Sequence, residues 1–224
     1  STARVIRHQR AAVGAHELGG AARLHGDHPR PCLDFSRLRA EFEKSPFKNL
    51  VTLNLKERIE ERLAMMVARN PTRVDLYERY QEIVKEYNRD KDAAEIQKVM
   101  DKLYSTWDSL NEEERRYLRE GLENEDQLAV FDLLHKDTLT KSDRDAIKKV
   151  AKELLDRLTS GKLQIDHWRE KAAAQAQVKA EIIKHLFVHL PSGAYDVEEI
   201  SLKADALFAH IYTAGLGEGA RAYH

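Results

Sequence analysis

The sequence predicts an all-α fold: an irregular multi-helix bundle of about eight or nine helices with a flexible N-terminal arm. Three observations predict it. From Asp34 to Thr213 the only glycines are Gly121, Gly161 and Gly193. Apolar residues recur there at three- and four-residue steps, the period of one helix face. No strand-like run carries a phosphate loop, and no catalytic triplet stands out.

Residues 1–33 read differently. They hold Gly14, Gly19, Gly20 and Gly26, then Pro29 and Pro31, and Arg4, Arg7, Arg10, Arg23 and Arg30 outweigh Glu17 and Asp27. This composition predicts a basic, Gly-, Ala- and His-rich arm or linker. Residues 34–213 form the expected helical domain, and the glycine-bearing tail 214–224 is expected to fray.

The elements follow in order. Asp34 caps a short helix with Phe35, Leu38 and Phe42, stopped before Pro46. Thr52 caps the next, where Leu55, Ile59, Leu63 and Met66 form one face. Asn70-Pro71 ends it, because Asn tolerates the left-handed conformation and Pro lacks the donor to continue. Thr72 and Asp75 open a third, with Leu76, Tyr80, Ile83, Val84 and Tyr87 inward. Ile96, Val99, Leu103, Trp107 and Leu110 mark a fourth. Asn111 with Glu114 has the form of a capping box and starts a shorter helix that ends near Gly121. Glu125–His135 follows, with Leu128, Phe131 and Leu134 on one face. Ser142 caps a longer helix with Ile147, Val150, Leu154 and Leu158, closed by Gly161. The longest is expected from Asp166 to Leu190, stopped by Pro191 and Gly193. Asp196 caps the last, which carries Val197, Ile200, Leu207, Phe208 and Ile211.

Composition excludes several functions. The chain has 37 basic and 38 acidic side chains, a net charge of −1 with His neutral. That balance gives no global pull toward nucleic acid or membrane. Cys32 stands alone, so no intrachain disulfide forms, as suits a reducing compartment. No apolar stretch reaches the roughly 20 residues that cross a bilayer. The N-terminus lacks the apolar centre of a signal peptide, and the start at Ser1 is consistent with a trimmed chain, a processed chain or a fragment.

Few constellations carry chemistry. His185 and His189 are four apart on a helix, but the zinc-protease pattern needs Glu after the first His, and Leu186 is there. His25, His28 and Cys32 lack a fourth ligand for a closed zinc site. Gly161-Lys162 is no phosphate loop: Asp156 stands where the earlier glycine belongs, and Leu163 replaces the magnesium-binding hydroxyl. No lysine has Asp or Glu two residues before it, so the acid-spacer-lysine pattern of metal-dependent restriction nucleases is missing. We therefore expect no catalytic, cofactor-binding or metal residues here. Lys141, Arg144, Lys148, Lys149 and Lys152 form a basic stretch that could contact DNA phosphates. Interleaved acids (Asp143, Asp145, Glu153) make surface ion pairing the competing reading.

From about Asp34 to Tyr212 the chain resembles the C-terminal helical region of the R subunit of type I restriction enzymes. The resemblance rests on the order and spacing of short segments: Phe47-Lys48-Asn49, Asn70-Pro71-Thr72-Arg73, Tyr80-Gln81-Glu82-Ile83 and Tyr87-Asn88. Arg119-Glu120-Gly121-Leu122, Phe131-Asp132-Leu133-Leu134, Lys149-Val150-Ala151-Lys152-Glu153-Leu154-Leu155, Trp168-Arg169 with Val178-Lys179, and His210-Ile211-Tyr212 complete it. The chain departs where Phe47 replaces a frequent His and where His167 splits an Asp-Trp pair. The resemblance implies a docking and scaffolding domain. It would couple an ATP-dependent DNA translocase and endonuclease to the methyltransferase and specificity subunits, packed beside the motor domains of its own subunit. ATP and Mg2+ would act upstream in that subunit, which would work in a bacterial or archaeal cytoplasm. Asn70, Arg73, Trp168 and Arg169 are then the candidate docking residues.

Overall fold

The computed structural model describes residues 40, 43–44, 48–89 and 93–214, with side chains at 40, 43–44, 51–86 and 96–214. The arm, Phe35, Leu38 and Phe42, the side chain of Tyr87, the set His25, His28 and Cys32, and the tail from Gly215 lie outside them. Two units divide the chain, 1–44 and 45–224. Of the first, Ala40, Glu43 and Lys44 are described, and they are helical.

Among the described residues the second unit shows eight α-helices and no strand. In chain order they are α1 (Lys48–Arg69), α2 (Val74–Arg89), α3 (Ala93–Glu114), α4 (Arg116–Arg119), α5 (Glu125–Leu134), α6 (Lys141–Ser160), α7 (Ala172–His189) and α8 (Val197–Thr213). Short 3-10 turns precede α2, at Pro71–Arg73, and follow α6, at Lys162–Gln164.

The first three helices pack on one another. Leu55, Ile59, Leu63 and Met66 of α1 are buried as their spacing predicts, as are Ile96, Val99, Leu103 and Leu110 of α3. Tyr80 is the buried anchor of α2. Its hydroxyl donates to the Lys56 carbonyl at 2.9 Å, and burial raises its pKa. Leu76, Ile83 and Val84 are half-buried. So is Trp107, whose ring lies 4.2 Å from the Arg62 guanidinium.

The later helices share a separate apolar core. One cluster runs from Leu122 through α5, α6, α7 and α8 to Ile211 and takes in Trp168. α5 packs on α6 and α8, α6 on α7, and α7 on α8. Polar pins reinforce it. The Tyr195 hydroxyl donates to the Leu134 carbonyl at 2.8 Å, and burial pushes its pKa up to about 12. Lys203 donates to the Leu133 and His135 carbonyls at 2.7 and 3.2 Å, so a cation meets the open C-terminal end of α5.

Several expected helix starts move. Thr52 is fully buried inside α1, which begins at Lys48. Asn70 is extended rather than left-handed (φ −142°), and its side chain, not that of Thr72, accepts the capping bond from the Thr72 N–H. Asn111 and Glu114 form no capping box, because α3 runs through to Glu114. Both side chains instead accept from Arg62, at 2.8 Å for Asn111. Thr140, not Ser142, caps α6 and forms a capping box with Asp143. α7 begins at Ala172, not Asp166: residues 165–171 form turns, and the 22-residue α1 and α3 are the longest described helices. Asp196 caps α8 as expected, in a capping box with Glu199. Val197 points outward, 67% exposed.

Candidate functional site

The basic stretch lies along α6 and faces the turn after α4. Its start is fixed by Thr140, whose hydroxyl oxygen accepts from the Asp143 N–H while Asp143 accepts from the Thr140 N–H. Lys148 pairs with Glu120 at 2.8 Å, and Lys152 pairs with Glu123. Lys149 meets Glu153 one turn on, at 3.7 Å. The hydrogen bond from Lys148 is the chief reason the Glu120 carboxyl sits below its usual range, with burial opposing. Lys141 and Arg144 are exposed. Three of the five cations thus face carboxylates, which reduces what the stretch offers a phosphate chain.

The four docking candidates are engaged within the chain. Asn70 is fully buried, and its amide donates to Asp132 at 2.6 Å. Arg73, 3% exposed, pairs with Glu113 at 3.0 Å and Glu125 at 2.7 Å. Trp168 is buried, with its ring edge-on to Tyr212 at 5.9 Å. Arg169 stacks over Trp168 and donates to the Tyr212 and Ile211 carbonyls at 2.8 and 3.2 Å, closing the C-terminal end of α8. The helix expected from Asp166 hid this burial: the segment is a turn, and it folds back onto α8.

The two helical histidines stack at 4.4 Å between ring centroids. His185 is buried and His189 exposed. Neither ring nitrogen of His185 meets hydrogen-bond geometry. Burial is the main cause that lowers its pKa, with His189 and Arg157 adding to the effect. Glu153 opposes it, as does the nearby Val150 carbonyl. Among the described residues no group of three or more His, Cys, Asp or Glu side chains is placed to hold a metal. No described helix is long and apolar enough to cross a membrane.

Sequence reasoning missed the exposed apolar end of the α7–α8 pair. The two helices pack together and are joined by residues 190–196, so the end of α7 and the start of α8 lie together. There Phe187, Val188, Val197 and Leu202 are 46, 66, 67 and 64% exposed. The available signal was breadth. Phe187 and Val188 extend beyond the stripe of Val178, Ile182 and Leu186, and Leu202 lies off the stripe of Ile200, Ala204, Leu207 and Ile211.

A shallow cleft of about 580 Å³ lies where α1, α5 and α8 meet. Arg69, Tyr117, Glu123, Glu125, Asp126 and Thr213 are among its lining residues.

A family model described as the C-terminal part of the "Type I restriction enzyme HindI endonuclease subunit-like" proteins matches residues 32–199. No curated protein and no solved structure matches the chain.

Proposed function

We propose a docking role for this chain, which belongs to the family of C-terminal regions of HindI-like type I restriction enzyme endonuclease subunits. On this reading the helical unit is a scaffold. It holds the ATP-driven translocase and nuclease portion of its subunit against the methyltransferase and specificity subunits. ATP and Mg2+ serve that upstream portion, and the described helices supply rigid spacing and a contact face.

One observation carries the reading. The apolar side chains Phe187, Val188, Val197 and Leu202 remain exposed at one end of α7–α8, while the stripes beside them are packed. Exposed apolar side chains lying at one end of a helix pair are surface that a protein partner would bury. Asn70, Arg73, Trp168 and Arg169 then act indirectly, by holding the helices that present the face.

The test is association of the purified chain with a methyltransferase–specificity core lacking the endonuclease subunit, at low salt. We expect binding, and we expect the double substitution Val197→Glu, Leu202→Glu to weaken it about ten-fold or more, equivalent to about 1.4 kcal/mol. The variant's thermal melt should stay close to that of the parent, since both side chains are exposed. No association, or association indifferent to the substitutions, would refute docking through this face.

A further inference from the structure

The apolar core of the later helices stops at Leu122, and an ion-pair network lies where the end of α3 and the Pro71–Arg73 turn meet α5. Glu113, at the end of α3, accepts through one oxygen from both Arg73 (3.0 Å) and Arg116 (2.8 Å). Arg73 also reaches Glu125, at the start of α5, at 2.7 Å, and donates to the Glu113 carbonyl at 3.2 Å. Arg116 also pairs with Asp132 of α5, which accepts from the Asn70 amide as well. The linking chain is short: one-turn α4, then Gly121 at φ +71° with open space around it. The cleft straddles the same place. Arg69 lines it from the α1 side, and Glu123, Asp126 and Thr213 from the other.

We propose that this joint is a hinge. The helix groups α1–α3 and α5–α8 turn about it as two rigid bodies, with Arg73 and Arg116 as its charged pin, and the turning opens and closes the cleft. An apolar seam does not slide, because close-packed side chains lock it and any gap loses contacts. A joint with two guanidiniums and three carboxylates behaves differently. Glu113 is already shared, so either arginine can trade one acid for another without a buried charge going unpaired. Gly121 supplies a left-handed backbone position in the linking segment that other residues resist. The cleft supplies the space into which the groups close.

The test uses spin-label distance measurements on the full chain with Cys32→Ser. One label pair spans the joint (Met65→Cys with Ser201→Cys), and a control pair lies within the later helices (Lys149→Cys with Ser201→Cys). In the Arg73→Met background we expect the spanning pair to broaden or gain a second population while the control pair is unchanged. Glu125→Gln, which removes charge and keeps shape, should do the same to a smaller degree. A spanning distribution that neither variant alters would overturn the hinge. So would both pairs broadening together in both variants, which is the signature of local unfolding.

Discussion

His167 has φ +51°, a left-handed conformation that a β-carbon resists. The turn it makes sets Trp168 inward and Arg169 against the end of α8, so its backbone matters more than its exposed ring. We expect His167→Val to destabilise the chain by about 1–2 kcal/mol, with His167→Gly near neutral, in urea denaturation. The buried histidines set the pH response. Burial is the first cause lowering the pKa of both His185 and His210, so each stays neutral in the folded chain at pH values where the unfolded chain takes up a proton. The unfolded state then binds more protons, and stability rises with pH in that interval. Unfolding free energy should be level with respect to these groups above about pH 6.5 and fall as pH drops below it toward their folded values. Replacing His185 and His210 together with Leu should flatten that limb, as read from denaturant midpoints across pH. At this scale the sequence was partly legible. Spacing identified Leu55, Ile59, Leu63, Leu154 and Leu207 as core. Trp168 defeated the same reasoning, because its burial comes from contact with Tyr212, forty-four residues on, and no local period encodes that.

Helix existence was legible, and helix starts only in part: Glu125 and Asp196 were read correctly, while the starts of α1, α6 and α7 were not. Where a helix begins depends on which of several neighbouring polar side chains reaches a free N–H, and Thr140 and Ser142 both qualify on paper. The structure selects Thr140 because Asp143 stands three residues on and returns a bond. Thr140→Ala should cost about 1 kcal/mol, and Ser142→Ala no more than about 0.5 kcal/mol, in thermal or chemical melts. Equal costs would mean that the capping box contributes nothing. The over-long reading of α7 has a related cause. Residues 166–171 contain no Pro or Gly to announce a break, and the departure from helix there is imposed by packing onto α8.

At the scale of the whole molecule, acids and bases nearly cancel in sum, and several of the described cations on α6 and α7 are also paired in place. Lys148 and Lys152 of α6 meet Glu120 and Glu123, Lys179 meets Asp205, and Arg157 meets Glu181. This local pairing is our reason for preferring docking to the competing reading, a duplex-DNA-binding module built on Lys141–Lys152. Duplex binding through that stretch would weaken by roughly 0.9 log units per log unit of salt for each phosphate neutralised. We expect no such steep dependence, and no change in slope for the triple variant Lys148→Ala, Lys149→Ala, Lys152→Ala. A steep slope that this variant flattens would restore the DNA reading. The candidate docking face was the least legible feature, since exposure of Val197 and Leu202 follows from how α8 is rotated against α5 and α7, and rotation is a tertiary property.

The sequence contains only two tryptophans, and they fall on opposite sides of the charged joint: Trp107 half-exposed on α3 beneath Arg62, Trp168 enclosed beside α8. Each helix group therefore comes with its own natural fluorophore, one in a wetter and one in a drier setting. With Trp107→Phe or Trp168→Phe, the glow of the remaining indole would report the melting of its own half, free of any attached dye.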